Sequence, residues 1–121
     1  MAGKKTWYFP DGYLPEKLDN SLIEAHEAMM LLNDNKSPAH VLLDFYFENK
    51  EPVLGVLVTV GAQRVVCLHM DKAPEFGGPA IAPLVQYALR VRSDIDIVVQ
   101  FGRLDATQAN LAYYSSMGYC E

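Results

Sequence analysis

The chain has 121 residues, of which half are hydrophobic and 21% are charged. This length and composition predict a single domain spanning 1–121 with a core of its own, and they exclude a disordered or low-complexity chain. Fifteen acidic against ten basic residues give a net charge of −5, which argues against general binding to the phosphate backbone of nucleic acids.

The sequence carries no signal for membrane insertion or secretion. Its longest mostly apolar run, 53–61, is far shorter than the roughly 20 residues of a transmembrane helix. The turn-forming residues at 10–12 come too early for a signal-peptide core. The two cysteines, Cys67 and Cys120, do not make a disulfide framework. We therefore expect a cytoplasmic protein.

Short apolar runs bounded by turn residues predict strands along most of the chain. In chain order these runs cover 6–9, 40–47, 53–60, 64–70, 84–92, 96–103 and 110–119. Residues 40–47 alternate between apolar and polar side chains, which is typical of a half-buried strand. Ile97, Val98 and Val99 are strongly β-forming. The run at 84–92 would also suit a short helix.

Turn-forming residues separate these runs. Residues 10–12 end the first run, and a Pro- and Gly-rich loop is predicted at 71–83. Gly61 begins a short connection between two apolar runs, which predicts a hairpin. Ser93 and Asp94 predict a further turn before the strand at 96–103.

The segment 22–32 has two interpretations. Ser21 and Glu24 have the spacing of a capping box, and 25–32 is rich in good helix formers, so local propensity predicts a helix. The many strands around it favour a β-sandwich instead. Both interpretations stay open on the residues alone.

No motif in the sequence indicates catalysis. The nucleophile elbow, the Walker loop, the dinucleotide fingerprint and the zinc-protease motif are all missing. Cys67 and His69 would share a strand face, but no third ligand is implied, so we expect no metal site. Asp44 and Glu48 would lie roughly 13 Å apart on one strand, which favours a solvated face over an acid/base pair. We expect a non-enzymatic protein without a cofactor.

The stretch 97–105 is the most unusual part of the sequence. Gln100 follows three β-branched residues, so we expect its amide in or beside the core, where it needs partners. Arg103 and Asp105 share a strand face and can present donors beside a carboxylate, as in sites for polyols or sugars, with Trp7 as an aromatic wall. The alternative is a structural pair of Arg103 and Asp105 that closes the strand.

Several short blocks follow one another along nearly the whole chain. They are Trp7, Asp11-Gly12-Tyr13-Leu14-Pro15, EAMMLLN at 27–33, Ala39-His40-Val41, Phe45-Tyr46-Phe47, Lys50-Glu51-Pro52, Arg64 and DIVVQFGRLD at 96–105. In order and spacing these blocks resemble the sensory rhodopsin transducer family of small cytoplasmic proteins. Each block alone would be a weak signal, whereas the whole set is fairly specific.

The resemblance implies an all-β fold, a single-domain eight-stranded β-sandwich of jelly-roll type, in which 27–32 is a strand. It also implies a homotetramer and the binding of a small molecule, a sugar or a related metabolite. The matching ligand-binding positions are Trp7, Asn33, Arg64, Gln100, Arg103 and Asp105. The sequence departs from the family at Phe101-Gly102, where His-Thr is usual. We expect these binding residues around one concave pocket or subunit groove.

Three functions are compatible with the sequence. The leading hypothesis is a non-enzymatic small-molecule-binding protein with a sensory or regulatory role. The alternative is a signalling adaptor that docks on a sensory rhodopsin or another receptor. A third is transcriptional regulation by DNA contact through a patch of Arg90 and Arg92, although two arginines on an acidic protein are more typical of a solvated face.

The run 53–58 bears on assembly. It is apolar on both strand faces, whereas a monomeric sandwich buries only the inner face of each strand. A symmetric copy is the simplest cover for the outer face, which predicts a homo-oligomer, most simply a tetramer. Alternatively, the loop at 71–83 folds over that face.

Overall fold

The chain folds as two layers of antiparallel strands around one core, which confirms the predicted all-β, sandwich-like class. The computed structural model describes residues 2–15, 26–105, 112–116 and 118–121. Within these residues the strands are β1 (Lys4–Tyr13), β2 (His26–Asn33), β3 (Ala39–Phe47), β4 (Val53–Val60), β5 (Arg64–His69), β6 (Gln86–Asp105), β7 (Ala112–Ser116) and β8 (Tyr119–Cys120). The jelly-roll arrangement and the strand number of the whole chain stay predictions.

Strand β6 belongs to both layers. Its first part, 86–97, pairs with β1 and β3, and its second part, from Val98 onward, pairs with β2 and β7. The first layer has the order β4-β3-β6-β1-β8, and the second has the order β5-β2-β6-β7. The turn predicted at Ser93-Asp94 is wrong, because Ser93 pairs with Val41 of β3 and the strand continues through it.

Strand β1 also runs further than its sequence predicts. The expected break at 10–12 is wrong, since β1 continues to Tyr13. The pairing of β1 with β6 shifts register between Phe9 and Gly12. This bulge accommodates Pro10, which has no backbone N–H to donate to a regular ladder.

The predicted hairpin between 53–60 and 64–70 is wrong in its pairing. Both strands are present, and the second ends at His69. However, β4 pairs with β3 and β5 pairs with β2, so the connection around Gly61 crosses from the first layer to the second. Each strand thereby buries one alternating set of apolar side chains against the shared core instead of pairing with its sequence neighbour.

The structure of β2 decides between the two interpretations of 22–32 for the residues from His26 onward. Residues 26–33 are a strand paired with β5 on one side and β6 on the other, as the family resemblance implies. Met29 and Leu31 have no exposed surface, and their spacing of two fits the strand period. The helix prediction is therefore wrong for this part, because pairing on both sides outweighs local propensity. Residues 22–25 lie outside the described residues.

The segment before β6 contains a short helix and an unusual backbone conformation. A 3₁₀ helix spans Met70–Phe76, within the region predicted as a loop. Leu84 has a φ of 63°, in the left-handed region that bulky residues rarely adopt. The run predicted at 84–92 is a strand from Gln86 onward and not a helix. In the last predicted run, β7 and β8 are both strands.

The core lies between the two layers. Phe9 of β1 packs against Phe101 of β6, with 5.7 Å between ring centroids. Fully burying one such large apolar side chain contributes about 1.5–3 kcal/mol to stability. The other large core side chains include Trp7, Met29, Leu31, Val41, Leu43, Phe45, Val91, Ile97 and Val99. In the described part of the chain, no helix is long and apolar enough to cross a membrane.

Candidate functional site

A carboxylate without exposed surface, Glu27, lies where β1, β2 and β6 meet. Its Oε1 accepts hydrogen bonds from the Tyr87 hydroxyl at 2.6 Å and from the Tyr13 backbone N–H at 2.9 Å. Its Oε2 accepts one from Arg103 Nε at 2.8 Å. Glu27 and Arg103 are directly opposite each other on neighbouring strands, so the pairing of β2 with β6 positions this ion pair.

The Tyr87 ring reaches Glu27 because β1 offers no side chain at Gly12. A Cβ at position 12 would lie 2.5 Å from the ring carbons of Tyr87. Burial raises the pKa of Tyr87, and the negative charge of Glu27 raises it further. The phenol therefore stays protonated and serves as a hydrogen-bond donor to the carboxylate, not as a base.

Arg103 is held inside the fold rather than presented to solvent. Its side chain is 14% exposed. Besides Glu27, it contacts Asp11, with Nη2 at 3.3 Å from the backbone oxygen and 3.6 Å from carboxylate Oδ1. The sequence predicts Asp105 as its partner, and the Asp105 side chain lies outside the described part of the chain. The contact with Glu27 gives Arg103 a role in joining β2 to β6, while its predicted pairing with Asp105 stays a prediction.

The side chain of Asn33, at the end of β2, forms hydrogen bonds to the segment before β3 and to the end of β4. Its side chain has no exposed surface, and Nδ2 donates to the backbone oxygens of Ser37, Val60 and Gly61 at 2.9–3.1 Å. Its Oδ1 accepts hydrogen bonds from the backbone and side-chain nitrogens of Asn35. These bonds fix the crossing between β4 and β5, so Asn33 has a structural role in the described chain.

The other predicted binding residues face different directions. Trp7 is 3% exposed, and its indole N–H donates to the Lys4 backbone oxygen at 3.1 Å. Arg64 is exposed and donates to the backbone oxygens of the turn before β5. Gln100 was expected in or beside the core. It is exposed and lies outside the core, because Val99 and Phe101 take the inward positions of β6.

The described structure does not gather these predicted residues into one pocket. Asn33 and Arg64 are opposite each other in the pairing of β2 with β5. Gln100 is opposite Met30, whereas Trp7 lies in the other layer opposite Val91. The ligand-binding role of the six residues stays a prediction.

Asp44 has no exposed surface although it points away from the core, which corrects the expected solvated face. Arg90 Nε and Arg92 Nε donate to its Oδ2 at 2.7 and 2.8 Å. The Gly55 N–H donates to Oδ1 at 2.9 Å, from a position whose φ of 74° suits glycine. Burial alone would raise the pKa of Asp44, but these hydrogen bonds and the charge of Arg92 lower it to about 2.

The same contacts remove the basis for a basic patch. Arg90 and Arg92 both form ion pairs with Asp44, so they are not the freely solvated pair that the sequence predicts. Sequence reasoning missed this cluster because Asp44 lies on the polar side of an alternating strand. The available signal was the register: Asp44 is directly opposite Arg90 once β3 and β6 are paired.

The described surface contains a cleft beside the turn between β3 and β4, which we name the turn cleft. Its volume is about 430 Å³, and it is lined by Phe47, Glu48, Asn49, Lys50, Leu84, Val85 and Gln86. Apolar and polar side chains both contribute to its walls. No sequence signal pointed to this cleft, because its two walls lie more than thirty residues apart in the chain.

A second cavity, which we name the outer cavity, lies on the outer face of the first layer. Its volume is about 380 Å³, and it is lined by His40, Leu42, Leu57, Arg92, Ser93 and Asp94. At its edge His40 Nδ1 lies 3.0 Å from Asp94 Oδ2. Hydrogen bonds from the backbone and ring of His40 lower the pKa of Asp94. The polar groups of this cavity are therefore largely engaged with one another.

Potential metal ligands do not cluster in the described chain. No group of three or more histidine, cysteine, aspartate or glutamate side chains could hold a metal ion among the residues described. Cys67 and His69 are exposed on β5. His69 packs against the His26 ring with 4.8 Å between centroids, and its Nδ1 lies 3.8 Å from Asp71 Oδ1.

Comparisons with known proteins identify relatives of this chain. Residues 2–120 match the family model described as Anabaena sensory rhodopsin transducer. The crystal structure of Thermotoga maritima 1070 is similar over 100% of this chain and 97% of that one, with 27% identity and a TM-score of 0.86. The Anabaena sensory rhodopsin transducer is similar over 83% and 94%, with 28% identity and a TM-score of 0.70. A comparison with curated proteins finds no match.

Proposed function

The chain belongs to the Anabaena sensory rhodopsin transducer family. We propose that it is a non-enzymatic signalling domain that binds a small molecule. The ligand is a sugar or a related metabolite. The observation that carries the proposal is the turn cleft, whose walls combine apolar side chains with amide and charged groups. Ligand sites typically combine a mainly apolar surface with a few polar groups that fix orientation.

The buried carboxylates support the non-enzymatic part of the proposal. Glu27 and Asp44 each accept at least three hydrogen bonds from internal partners. A general base needs a free lone pair within reach of a substrate proton. These two groups stabilise the fold instead.

The test is a thermal unfolding screen of the intact chain against neutral sugars, sugar acids and polyols. A ligand that binds only the folded state raises the melting temperature by mass action. At ten times the dissociation constant we expect a rise of about 5–6 °C for a domain of this size. No shift with any compound at tens of millimolar would contradict small-molecule binding.

A second candidate function is a signalling adaptor that contacts a receptor. The observation that favours it is the similarity to a protein named as the transducer of a sensory rhodopsin. If the protein is such an adaptor, we expect the immobilised protein to capture detergent-solubilised sensory rhodopsin. Replacing the exposed Leu54 and Leu57 by serine should weaken this capture. Equal retention of the rhodopsin on an unrelated acidic β-sandwich would count against the adaptor.

We also propose a homo-oligomer, most simply a tetramer. Leu54 and Leu57 of β4 are 55% and 59% exposed, so the segment 71–83 does not cover them. In the second layer Leu32 is opposite Val65, which is 63% exposed. Apolar surface of this kind favours burial against another copy.

Light scattering tests the assembly. We expect a mass several times 13.5 kDa, and we expect Leu32→Ser combined with Val65→Ser to lower it. Cys67→Ser, on the same strand as Val65, is the matched control. A mass near 13.5 kDa for the unchanged chain would rule out the oligomer.

Two further proposals follow the sequence expectations. A cytoplasmic location fits the two free cysteines, since secreted domains commonly pair theirs. Weak binding to random duplex DNA fits the net charge of −5 and the pairing of Arg90 and Arg92 with Asp44. Tight, salt-sensitive binding to random duplex would contradict the latter.

A further inference from the structure

We infer that the turn cleft binds a neutral, ring-shaped polyhydroxyl molecule such as a monosaccharide. The inference rests on the proposed function and specifies where the ligand lies and which chemistry selects it. Three features of the cleft carry it: an exposed apolar wall, an unusual backbone conformation that presents this wall, and a polar rim whose charges cancel.

The apolar wall is formed by two neighbouring side chains that the core does not use. Leu84 and Val85 are 50% and 38% exposed, and both line the cleft. Phe47, partly buried, lies on the other side. The C–H face of a sugar ring packs against such apolar and aromatic surfaces. An apolar wall of this kind favours cyclic ligands over fully hydrated small ions.

The backbone at Leu84 holds the wall in position. Its φ of 63° is unfavourable for a leucine, and its N–H donates to the Leu14 backbone oxygen at 2.9 Å. Such a conformation persists only where its surroundings fix it, and it is characteristic of binding sites. At Leu84 this conformation directs the side chain into the cleft. The core-facing apolar positions nearby belong instead to the next strand, β6.

The polar rim matches hydroxyl groups and carries no net charge. Glu48 and Lys50 contribute opposite charges, and Lys50 Nζ lies 4.2 Å from the centre of the Phe47 ring. Asn49 and Gln86 contribute amides, which both donate and accept hydrogen bonds as a hydroxyl does. The Gln86 amide is oriented by donating to the Pro10 backbone oxygen at 3.2 Å. A charged ligand gains no net attraction here, whereas a neutral polyol finds donors and acceptors.

The experiment compares cleft variants with a variant of the outer cavity. The probes are D-glucose, D-galactose and D-ribose as neutral rings, D-glucuronate as a charged ring and sorbitol as an open chain. Leu84→Gly removes the wall and relieves the backbone at the same position, so we expect it to fold. Val85→Ser is a second cleft variant, and Leu42→Ser is the control in the outer cavity.

We expect at least one neutral ring to raise the melting temperature of the unchanged chain and of Leu42→Ser by the same amount. The shift is lost in Leu84→Gly and Val85→Ser, and it is smaller with glucuronate and sorbitol. Equal shifts in the cleft variants, or loss only in Leu42→Ser, would overturn the location while leaving small-molecule binding intact. Binding of glucuronate alone would overturn the ligand class. No shift with any probe would overturn the inference together with the proposed function.

Discussion

Glu27 and Asp44 are both carboxylates without exposed surface, but they face opposite sides of the strands that carry them. Glu27 points into the core and pairs with Arg103, which is 14% exposed. Asp44 points outward and is covered by Arg90 and Arg92, which are 31% and 39% exposed. We therefore expect the cost of losing a buried carboxylate to depend on how readily its partners reach water.

The largest effect is expected when Glu27 is replaced by glutamine. Arg103 then keeps its charge in a mostly buried position without its main counter-charge, which typically costs about 3–5 kcal/mol. Urea unfolding of the variant measures the loss. Glu48→Gln on the surface is the matched control, with a change within about 0.5 kcal/mol. If Glu27→Gln lowers the free energy of unfolding no more than this control does, the burial of Arg103 does not make Glu27 more costly to lose than Asp44.

A smaller, pH-dependent effect is expected at Asp44. Its pKa is lowered from 3.8 to about 2 in the folded chain, so its stabilising contribution is fully present above pH 4 and is lost as the pH falls towards 2. A shift of this size corresponds to about 2 kcal/mol. Asp44→Asn is therefore expected to flatten the loss of stability between pH 4 and pH 2. Parallel pH profiles for the two chains would contradict the assignment.

A smaller loss is expected when Glu27 loses only the hydrogen bond from the Tyr87 hydroxyl. Tyr87→Phe removes one of the donors to Glu27 but leaves Arg103 and the Tyr13 N–H in place. We expect a loss of about 1 kcal/mol, the usual net value of one hydrogen bond. Combining Tyr87→Phe with Glu27→Gln tests the coupling, because residues in one network are not additive. Strict additivity would mean that the two side chains act separately.

The smallest effect is expected at the pair of His40 and Asp94. Both side chains are about half exposed, at 57% and 51%. Exposed pairs of this kind contribute at most about 1 kcal/mol and weaken with salt. Asp94→Asn is expected to lower the melting temperature only slightly at low salt and not at all in 1 M NaCl. A loss comparable to that of Glu27→Gln would show that exposure does not rank these sites.

Strands with a clear local pattern of apolar and polar residues could be predicted from the sequence. The neighbouring strands with which they pair could not. The polar and apolar alternation at 40–47 and the β-branched run at 97–99 identify strands directly. The continuity of β6 through Ser93 depends on pairing with β3, which no local preference encodes. The same holds for β2, whose residues favour a helix until two neighbouring strands pair with them.

The candidate site was predictable only in part. The sequence identifies Arg103 as one member of an ion pair. Its partner Glu27, however, lies 76 residues away, within the segment that local propensity assigns to a helix. Once 26–33 is read as a strand, Glu27 shares the inward face with Met29 and Leu31 and therefore requires a partner. The turn cleft depends on the position of Leu84 across from the turn at 48–50, which only the folded chain reveals.

The continuous strand β6 has a consequence for how the molecule comes apart. Its backbone amides and carbonyls are paired on both sides along most of its length, with β1 and β3 in one layer and with β2 and β7 in the other. Opening either layer exposes part of the same strand, so the layers cannot behave as separate cooperative units. We therefore expect the amide hydrogens of Val91 and Val99 to be protected from exchange to the same degree, because both exchange only when the chain unfolds completely.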